Sequence, residues 1–282
     1  MNLEPTLLKT IEYKGHVVFK KRSLHSFKRW KKEYQSKEAC FAFITQGEYK
    51  VRDQTNLFEF NSNNALLAKC SNYFYESASY PELSDHNGEA IGIFLYPDLF
   101  QKLFKFDLTK SNHRVEYNLK QIKVDKMLEV YRDSINVLLD NPELADELLV
   151  ETKLKEFVIL MTKKVGADSE INFLSSMFKP HFAKFQEVIQ HNVYTDLSLE
   201  DLASLCHMSL STFKRKFKEV YSESPKKYIT RLKIDKAIEF LKEGRLRISD
   251  IAFETGFDSI STFNRSFKAQ TGKKPSEYLF NS

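Results

Sequence analysis

Cysteine is scarce in this sequence of 282 residues, and so are tryptophan, proline and glycine, with 3, 1, 7 and 8 residues respectively. The three cysteines, Cys40, Cys70 and Cys206, are widely spaced and odd in number. This pattern argues against a disulfide framework and against a Cys-x-x-Cys metal site. We therefore expect three buried thiols, and the alternative is a redox-sensing role for an exposed Cys70.

The sequence also lacks the clusters and runs that mark metal enzymes and membrane proteins. A metal site needs several donors that converge on one cation, and the histidines of the N-terminal half stand alone, without any His-x-His pair: His16, His25, His86 and His113. No stretch approaches the run of about eighteen apolar residues that marks a membrane helix, and no N-terminal apolar run resembles a signal peptide. These absences predict a soluble, cytoplasmic protein that does not enter a membrane and needs no metal or other cofactor.

A duplicated unit occupies the C-terminal part of the sequence, between residues 199 and 279. Residues 211–228 and 261–278 are identical at eight of eighteen positions. The identical residues include Ser-Thr-Phe at the start of each copy, and a proline and a tyrosine near its end. Upstream, Leu202-Ala203 aligns with Ile251-Ala252 after a single-residue insertion in the second copy. A repeat this dense indicates two copies of one structural unit.

Each copy has the pattern of two helices joined by a tight turn. In the first copy, Ser198 and Asp201 have capping-box spacing at the start of a short helix, and a second helix is predicted at 210–220. That second helix has phenylalanines on one face, with serine, lysine and arginine on the other. In the second copy, Gly256 supplies a turn residue that tolerates positive φ. This is the helix-turn-helix pattern, in which the second helix enters the major groove of DNA.

The segment between the two copies has the apolar spacing of one connecting helix, at about 226–242, which Gly244 would end. These residues at ~1.5 Å each give a rod of roughly 25 Å. Such a rod could hold two recognition helices near the ~34 Å spacing of successive major grooves. An amphipathic helical bundle without a ligand is the alternative, but it leaves the duplicated polar face unexplained.

The second copy contains an extended motif, which runs from Ile248-Ser-Asp-Ile-Ala through Gly256-Phe and Phe263-x-Arg265-x-Phe-Lys to Pro275-x-x-Tyr. This motif resembles, nearly position for position, the signature of the AraC/XylS class of bacterial transcription regulators. The resemblance covers about 180–281. It implies a DNA-binding domain of two helix-turn-helix units tied by a linker helix, with double-stranded DNA and RNA polymerase as partners.

The resemblance also implies contact residues by position. The exposed faces of the two recognition helices would reach DNA bases through six residues: Ser211, Lys214, Arg215, Ser261, Asn264 and Arg265. Four further residues of the same helices would contact phosphates: Thr212, Lys218, Thr262 and Lys268. The forked donors of arginine match the two major-groove acceptors of guanine, so Arg215 and Arg265 are the expected guanine contacts. These faces vary freely within the class, so the operator sequence stays open.

The N-terminal part, from about residue 7 to 95, has a different spacing of apolar residues, which is typical of strands. Short segments rich in aromatic and β-branched residues, such as 40–44, 57–60 and 90–95, are separated by turn signals such as Asn87-Gly88. Regularly spaced short strands predict a small antiparallel barrel or sandwich. This part resembles, loosely, the cupin-like sensor domain that precedes the DNA-binding domain in many members of the class.

Helical spacing follows at 121–139 and 142–164, on either side of a turn at Asn141-Pro142. The apolar stripe of this hairpin must be buried on the barrel or against a second copy of the chain. We expect a homodimer, which a monomeric mass in light scattering would contradict. The predicted fold class is α+β, with four parts: a β-rich sensor domain at 1–115, the hairpin at 116–165, a linker at 166–179 and an all-α double helix-turn-helix domain at 180–282.

The excess of positive charge lies in the C-terminal part. Residues 175–282 hold 18 Lys and Arg against 13 Asp and Glu, and residues 1–174 hold 25 against 25. This distribution suits a domain that binds the phosphate backbone.

A basic run in the N-terminal part, Lys20-Lys-Arg22 with Lys28-Arg-Trp-Lys-Lys32, is either a solvated edge or a surface that meets an acidic ligand or partner. The nearby Tyr73-Phe-Tyr75 is interpreted as core and rim, in preference to the lining of a pocket.

Together these patterns favour a sequence-specific transcription regulator whose N-terminal domain senses a signal of unknown identity. An activator is the leading hypothesis, and the sequence leaves the direction of regulation open. In the alternative, the same DNA-binding domain is controlled by an N-terminal domain that binds a regulatory protein. An enzyme with a reactive cysteine would need a basic pocket or a metal beside the thiol, and no cysteine here has such companions in sequence.

Overall fold

The computed structural model describes residues 6–24, 29–32, 37–77 and 88–278. The chain divides into two compact units, residues 1–181 and 182–282. Four residues that enter the sequence predictions, His25, Lys28, His86 and Asn87, lie outside the described residues.

Two antiparallel sheets form the body of the first unit. Its described strands are: β1 (Thr6–Tyr13), β2 (His16–Leu24), β3 (Trp30–Lys32), β4 (Ala39–Gln46), β5 (Tyr49–Arg52), β6 (Leu57–Phe60), β7 (Asn64–Ala68), β8 (Tyr73–Ser77), β9 (Gly88–Leu95) and β10 (Leu119–Lys123). One sheet has the order β1-β2-β9-β4-β7-β10, and the other has the order β3-β8-β5-β6. The predicted antiparallel sandwich is confirmed, because the two sheets enclose a shared cluster of buried side chains.

Strand β4 shows that the larger sheet is covered on both faces. Phe41 and Phe43 belong to one hydrophobic cluster, whereas Cys40, Ala42 and Ile44 belong to the cluster between the sheets. Successive side chains of a strand point to opposite faces, so a strand covered on both sides has no polar face. This explains why β4 is an unbroken apolar run in the sequence.

Helices cover the outer face of the larger sheet. They are: α1 (Pro97–Phe104), α2 (Lys126–Asp140), α3 (Glu147–Val165) and α4 (Glu170–Met177). The predicted hairpin is formed by α2 and α3, and the ring of Phe157 on α3 packs 5.3 Å from that of Phe41 in the sheet. Asp125 and Asp146 cap the two helices by accepting a backbone N–H of the first turn.

The structure differs from the sequence-based boundaries in two places. Residues 119–123, partly assigned to the first helix of the hairpin, form β10, which pairs with β7 and buries Leu119 and Ile122. The predicted linker at 166–179 contains α4, whose Phe173, Leu174 and Met177 lie in the main core of the first unit. Burial of these apolar side chains outweighs the turn signal, which is confined to the residues that follow the left-handed Gly166.

The second unit is all α in its described part. Its helices are: α5 (Phe185–Asn192), α6 (Leu199–Leu205), α7 (Leu210–Tyr221), α8 (Pro225–Glu243), α9 (Ile248–Glu254), α10 (Ile260–Thr271) and α11 (Pro275–Tyr278). The α+β fold class is confirmed. Helix α8 is the predicted connecting helix, with Pro225 in its first turn and the left-handed Gly244 at its end. Its 19 residues span roughly 28 Å.

Each half of the second unit has a core of its own. Phe213 and Phe217 of α7 pack with α5 and α6 in one cluster. Phe263 and Phe267 of α10 pack with α9 and the C-terminal half of α8 in another. Helix α5 is absent from the sequence-based prediction, although Phe185 lies 5.6 Å from Phe213 and completes the first core. Within the described ranges, no helix is both long and apolar enough to cross a membrane.

Candidate nucleic-acid interface

The turns of the two helix-turn-helix units have the same backbone hydrogen bonds. In the first, the N–H of His207 and of Met208 donate to carbonyls of α6 at 2.9 Å. In the second, the N–H of Gly256 and of Phe257 donate to the equivalent carbonyls of α9 at 2.8 and 2.9 Å. His207 and Gly256 are both left-handed, with φ of 53° and 78°. One sharp change of direction therefore precedes each recognition helix.

Serine caps the N-terminus of both recognition helices. Ser209 accepts the N–H of Thr212 at the start of α7, and Ser259 accepts that of Thr262 at the start of α10. Each cap serine also donates to the hydroxyl of the same threonine, at 2.9 Å in α7 and 3.0 Å in α10. A capped N-terminus fixes where the helix begins and which residues stand on its first turns. The predicted capping box of Ser198 in α6 is also present.

The two recognition helices have the same burial pattern along residues 211–219 and 261–269. Both bury two phenylalanines and expose the polar residues between them. The exposed residues include eight of the ten predicted contact residues: Ser211, Lys214, Arg215, Lys218, Ser261, Asn264, Arg265 and Lys268. Thr212 and Thr262 are half-buried beside their cap serines. The structure thus brings the predicted residues of each helix onto one face, and their contacts with DNA stay a prediction.

Several cations on these faces are not neutralised by the protein. Within the described part of the chain, neither Arg215 nor Arg265 has a carboxylate within ion-pair distance, whereas the neighbouring Lys216 pairs with Glu219 at 2.9 Å. Arginines that are exposed and unpaired can offer all of their donors to an external acceptor. The geometry suits a polyanion with acceptor groups, which is the chemistry of DNA.

A tyrosine after each recognition helix completes its core. The Tyr228 ring lies 5.4 Å from Phe217, and the Tyr278 ring lies 5.6 Å from Phe267. The preceding prolines, Pro225 and Pro275, are buried at the start of the following helix. The identical proline and tyrosine of the repeat therefore pack on the buried side of the recognition helix. This packing role explains why they recur in both copies although they are not exposed.

The first unit contains a pocket between its two sheets. Strands β2, β3, β4, β8 and β9 contribute its walls. The aromatic part of the lining comes from Trp30, Tyr73, Tyr75 and Phe94, and the Trp30 and Tyr75 rings stack at 5.3 Å. The interpretation of Tyr73 and Tyr75 as core and rim is thus incomplete, because both also line this pocket.

Three cations line the same pocket: Lys20, Arg22 and Lys32. Lys20 is half-buried, and its Nζ lies 4.1 Å from the centre of the Phe94 ring. Burial lowers the pKa of Lys20, and the carboxylate of Glu38 acts in the opposite direction. Glu38 itself pairs with Lys32 at 2.5 Å. Four described residues of the basic run therefore line the pocket, whereas Lys21 pairs with Glu89 and Arg29 pairs with Glu76.

The cysteines do not have the surroundings of a reactive thiol. Cys70 is 2% exposed, so the alternative that it is an exposed redox sensor is wrong. Burial raises the pKa of Cys40 and of Cys70, and it raises the pKa of Cys206 to about 12. A higher pKa leaves less thiolate at neutral pH, and the thiolate is the nucleophile. Among the described residues, no group of three or more His, Cys, Asp or Glu could hold a metal ion.

Comparison with known proteins matches both units. Residues 202–280 match a family described as a helix-turn-helix domain, and residues 39–169 match the ExsA N-terminal regulatory domain. The thermoregulatory protein LcrF of Yersinia pestis is 28% identical over 130 residues, which are 46% of this chain and 48% of LcrF. The HTH-type transcriptional regulator ExsA of Pseudomonas aeruginosa is 29% identical over 129 residues, 46% of each chain.

A longer alignment is found with the TCP pilus virulence regulatory protein of Vibrio cholerae, which is 24% identical over 262 residues, 84% of this chain and 85% of that protein. The chain spans about half the length of LcrF and ExsA, with 48% and 46% of them aligned. None of these three is named as an enzyme. Together with the duplicated helix-turn-helix fold, the matches show a helix-turn-helix domain of the AraC type at 202–280 and an ExsA-type N-terminal regulatory domain at 39–169.

Proposed function

We propose that this chain is a sequence-specific DNA-binding transcription regulator, and an activator that works with RNA polymerase. The proposal is carried by one observation: two recognition helices with the same cap and the same burial pattern, each of which exposes an unpaired arginine. A merely structural bundle has no need to repeat a polar face. The names of the relatives in the same class support the regulatory role.

We infer different roles for different positions along each recognition helix. Residues of the first turns would contact base edges, because this end of a recognition helix enters the major groove. Arg215 and Arg265 would each offer two parallel donors to guanine, and Asn264 matches adenine in the same way. Lys218 and Lys268, one turn further on, would contact phosphates, which fix the position of the domain without reading sequence.

Selection from a pool of random duplexes tests this proposal directly. The full chain is incubated with the pool, and bound duplexes are recovered and sequenced at two salt concentrations. We expect an enriched motif of two half-sites about one helical turn apart, roughly 10–10.5 base pairs from centre to centre. Recovery without any enriched motif would contradict sequence-specific binding.

For the first unit, we infer that the pocket between the sheets binds the signal, and that the signal is a small molecule with an apolar body and an anionic group. Aromatic walls suit the apolar body, since they remove its surface from water. Lys20 supplies a half-buried cation that has no carboxylate within ion-pair distance among the described residues. An anionic ligand would relieve the cost of burying that charge.

Thermal unfolding of the full chain in the presence of medium-chain carboxylates tests the pocket, with the corresponding alcohols as neutral controls. A ligand at 100 times its Kd should stabilise the first unit by about 2.7 kcal/mol. We expect the carboxylate to raise the Tm more than the alcohol does, and Lys20→Met to abolish the difference. Lys50→Met, which removes a half-buried lysine of β5 that pairs with Glu59 and does not line the pocket, should leave the difference unchanged. Equal shifts in Lys20→Met and the wild type would exclude the pocket.

A protein-interaction switch remains the second candidate, and an exposed apolar stripe favours it. Met127, Val130 and Val137 are 59%, 57% and 52% exposed on α2. Their spacing puts them on one face of the helix. A regulatory protein or a second copy of the chain, in the proposed homodimer, would bury this stripe. Co-purification of a stoichiometric partner, with no carboxylate that raises the Tm, would favour the switch over the small-molecule sensor.

A further inference from the structure

A buried lysine lies in the middle of the connecting helix. Lys233 on α8 is 9% exposed. Its Nζ donates to the carbonyl oxygen of Thr195 at 2.6 Å and to that of Gly256 at 2.5 Å. An amphipathic helix pattern predicts an exposed lysine at such a position, so the sequence gives no sign of this role.

The two acceptors of Lys233 belong to different halves of the domain. Thr195 lies in the segment between α5 and α6, which leads into the first helix-turn-helix unit, and Gly256 is the left-handed turn residue of the second unit. The two segments are in direct contact. A Cβ at Gly256 would lie 2.4 Å from the carbonyl oxygen of Tyr194 and 2.6 Å from that of Thr195. Lys233 therefore bridges a close contact between the two units.

The surroundings of Lys233 favour strong hydrogen bonds. Burial lowers its pKa to about 8, although Asp258 and Asp196 act in the opposite direction. At neutral pH the amine is therefore still mainly protonated. Its Nζ also lies 5.6 Å from the centre of the Phe257 ring. Hydrogen bonds from a charged donor in a poorly solvated site are stronger than those between neutral groups.

Helix α8 also connects the two cores. Tyr228 and Ile229 near its start pack with the first core, whereas Ile234, Ala237 and Leu241 belong to the second. Lys233 lies where the helix passes from one core to the other. The contact that it makes restricts rotation of one unit against the other about this junction.

We propose that Lys233 is a positioning residue that holds the two helix-turn-helix units at a fixed separation, and so sets the half-site spacing that the domain reads. This inference rests on the proposed DNA binding. Two linked modules bind a double site tightly only when their geometry allows both to engage at once. A loosened junction therefore weakens double-site binding while each module keeps its own contacts.

The test compares the full chain with Lys233→Met, which keeps a chain of similar length but removes the charge and the donors. Binding is measured to the selected double site, to each half-site alone, and to double sites with the spacer changed by one or two base pairs. We expect Lys233→Met to lose about tenfold or more for the double site. Half-site affinities should change less than about twofold, and the preference for one spacer length should broaden.

Lys236→Met is the matched control, because it removes a half-buried lysine of the same helix whose Nζ pairs with Glu239 of that helix at 2.8 Å. Equal losses on the double site and on the half-sites would mean a general effect on stability, and would overturn the proposal. An unchanged spacer preference would overturn it too. Should Lys233→Met fail to fold, Lys233→Gln retains an N–H donor on a shorter side chain, and the same comparison applies.

The outcomes also separate this inference from the function on which it rests. A wild-type chain that binds no duplex selectively contradicts the DNA-binding proposal. A wild-type chain that binds the double site, with Lys233→Met binding it equally well, contradicts only the role of Lys233.

Discussion

Replacing Arg215 and Arg265 together with alanine is expected to reduce affinity for the selected operator by about 30-fold to 10⁴-fold. Each bidentate contact with guanine contributes about 1–3 kcal/mol of discrimination, and the two sites are far enough apart to act nearly independently. The variant should also lose its preference at the two guanine positions, so its affinity should approach that for unrelated duplexes. Both effects are measured by titration of fluorescent operator and mutated operators.

Two control variants distinguish the loss of base contacts from the loss of phosphate contacts or of positive charge. Lys218→Ala with Lys268→Ala removes predicted phosphate contacts, so affinity should fall about equally for all sequences and the salt dependence should become shallower by about one for each lysine. Arg231→Ala removes an arginine that pairs with Glu223 and Asp235, and it should have little effect on base preference. If Arg265→Ala alone leaves affinity and preference unchanged, the orientation proposed for α10 is wrong.

Gly256→Ala is expected to destabilise the second unit by about 2–4 kcal/mol, which lowers the Tm of a domain of this size by roughly 10 °C or more. Two causes add. Gly256 has φ of 78°, and a Cβ at this position would lie 2.4 Å from the backbone carbonyl oxygen of Tyr194. A backbone oxygen cannot move aside as the end of a flexible side chain can. Thermal unfolding followed by circular dichroism measures the change.

Gly272→Ala separates these two causes. Gly272 has nearly the same φ, 77°, at the end of α10, but its Cβ would meet nothing within 4 Å. Only the conformational cost of about 1–2 kcal/mol then remains. Equal Tm losses in the two variants would show that the contact between the second turn and residues 194–195 is looser than the structure indicates. A larger loss for Gly256→Ala supports the tight junction that Lys233 bridges.

The repeat made the second unit largely predictable from the sequence. Its signals are local: a cap serine, a helical spacing of phenylalanines and a residue that tolerates positive φ, as at Ser198, Phe213 and Gly256. Each of these restricts the chain within one or two turns of helix, so no distant contact is needed to interpret it. The exposed face follows from the same spacing.

The misjudged elements depend on distant contacts. Strand β10 exists because β7 offers it a pairing edge, and α4 is held by a core made of residues far away in the chain. Helix α5 is anchored in the first core by Phe185 and Ile189, whose partners on α6 and α7 follow them by many residues. The role of Lys233 could not be predicted for a similar reason, since only the packed structure places two carbonyl groups around its amine.

The two recognition helices share a shape but not a composition. The first carries Lys214, Arg215, Lys216 and Lys218, whereas the equivalent positions of the second hold Asn264, Arg265, Ser266 and Lys268. One end of the domain is therefore richer in cations, and the two half-sites should differ in sequence. A DNA-binding domain whose two recognition helices differ binds its operator in one orientation only. The orientation of the bound chain would thus be fixed relative to the promoter. We therefore expect an asymmetric operator and not a palindrome.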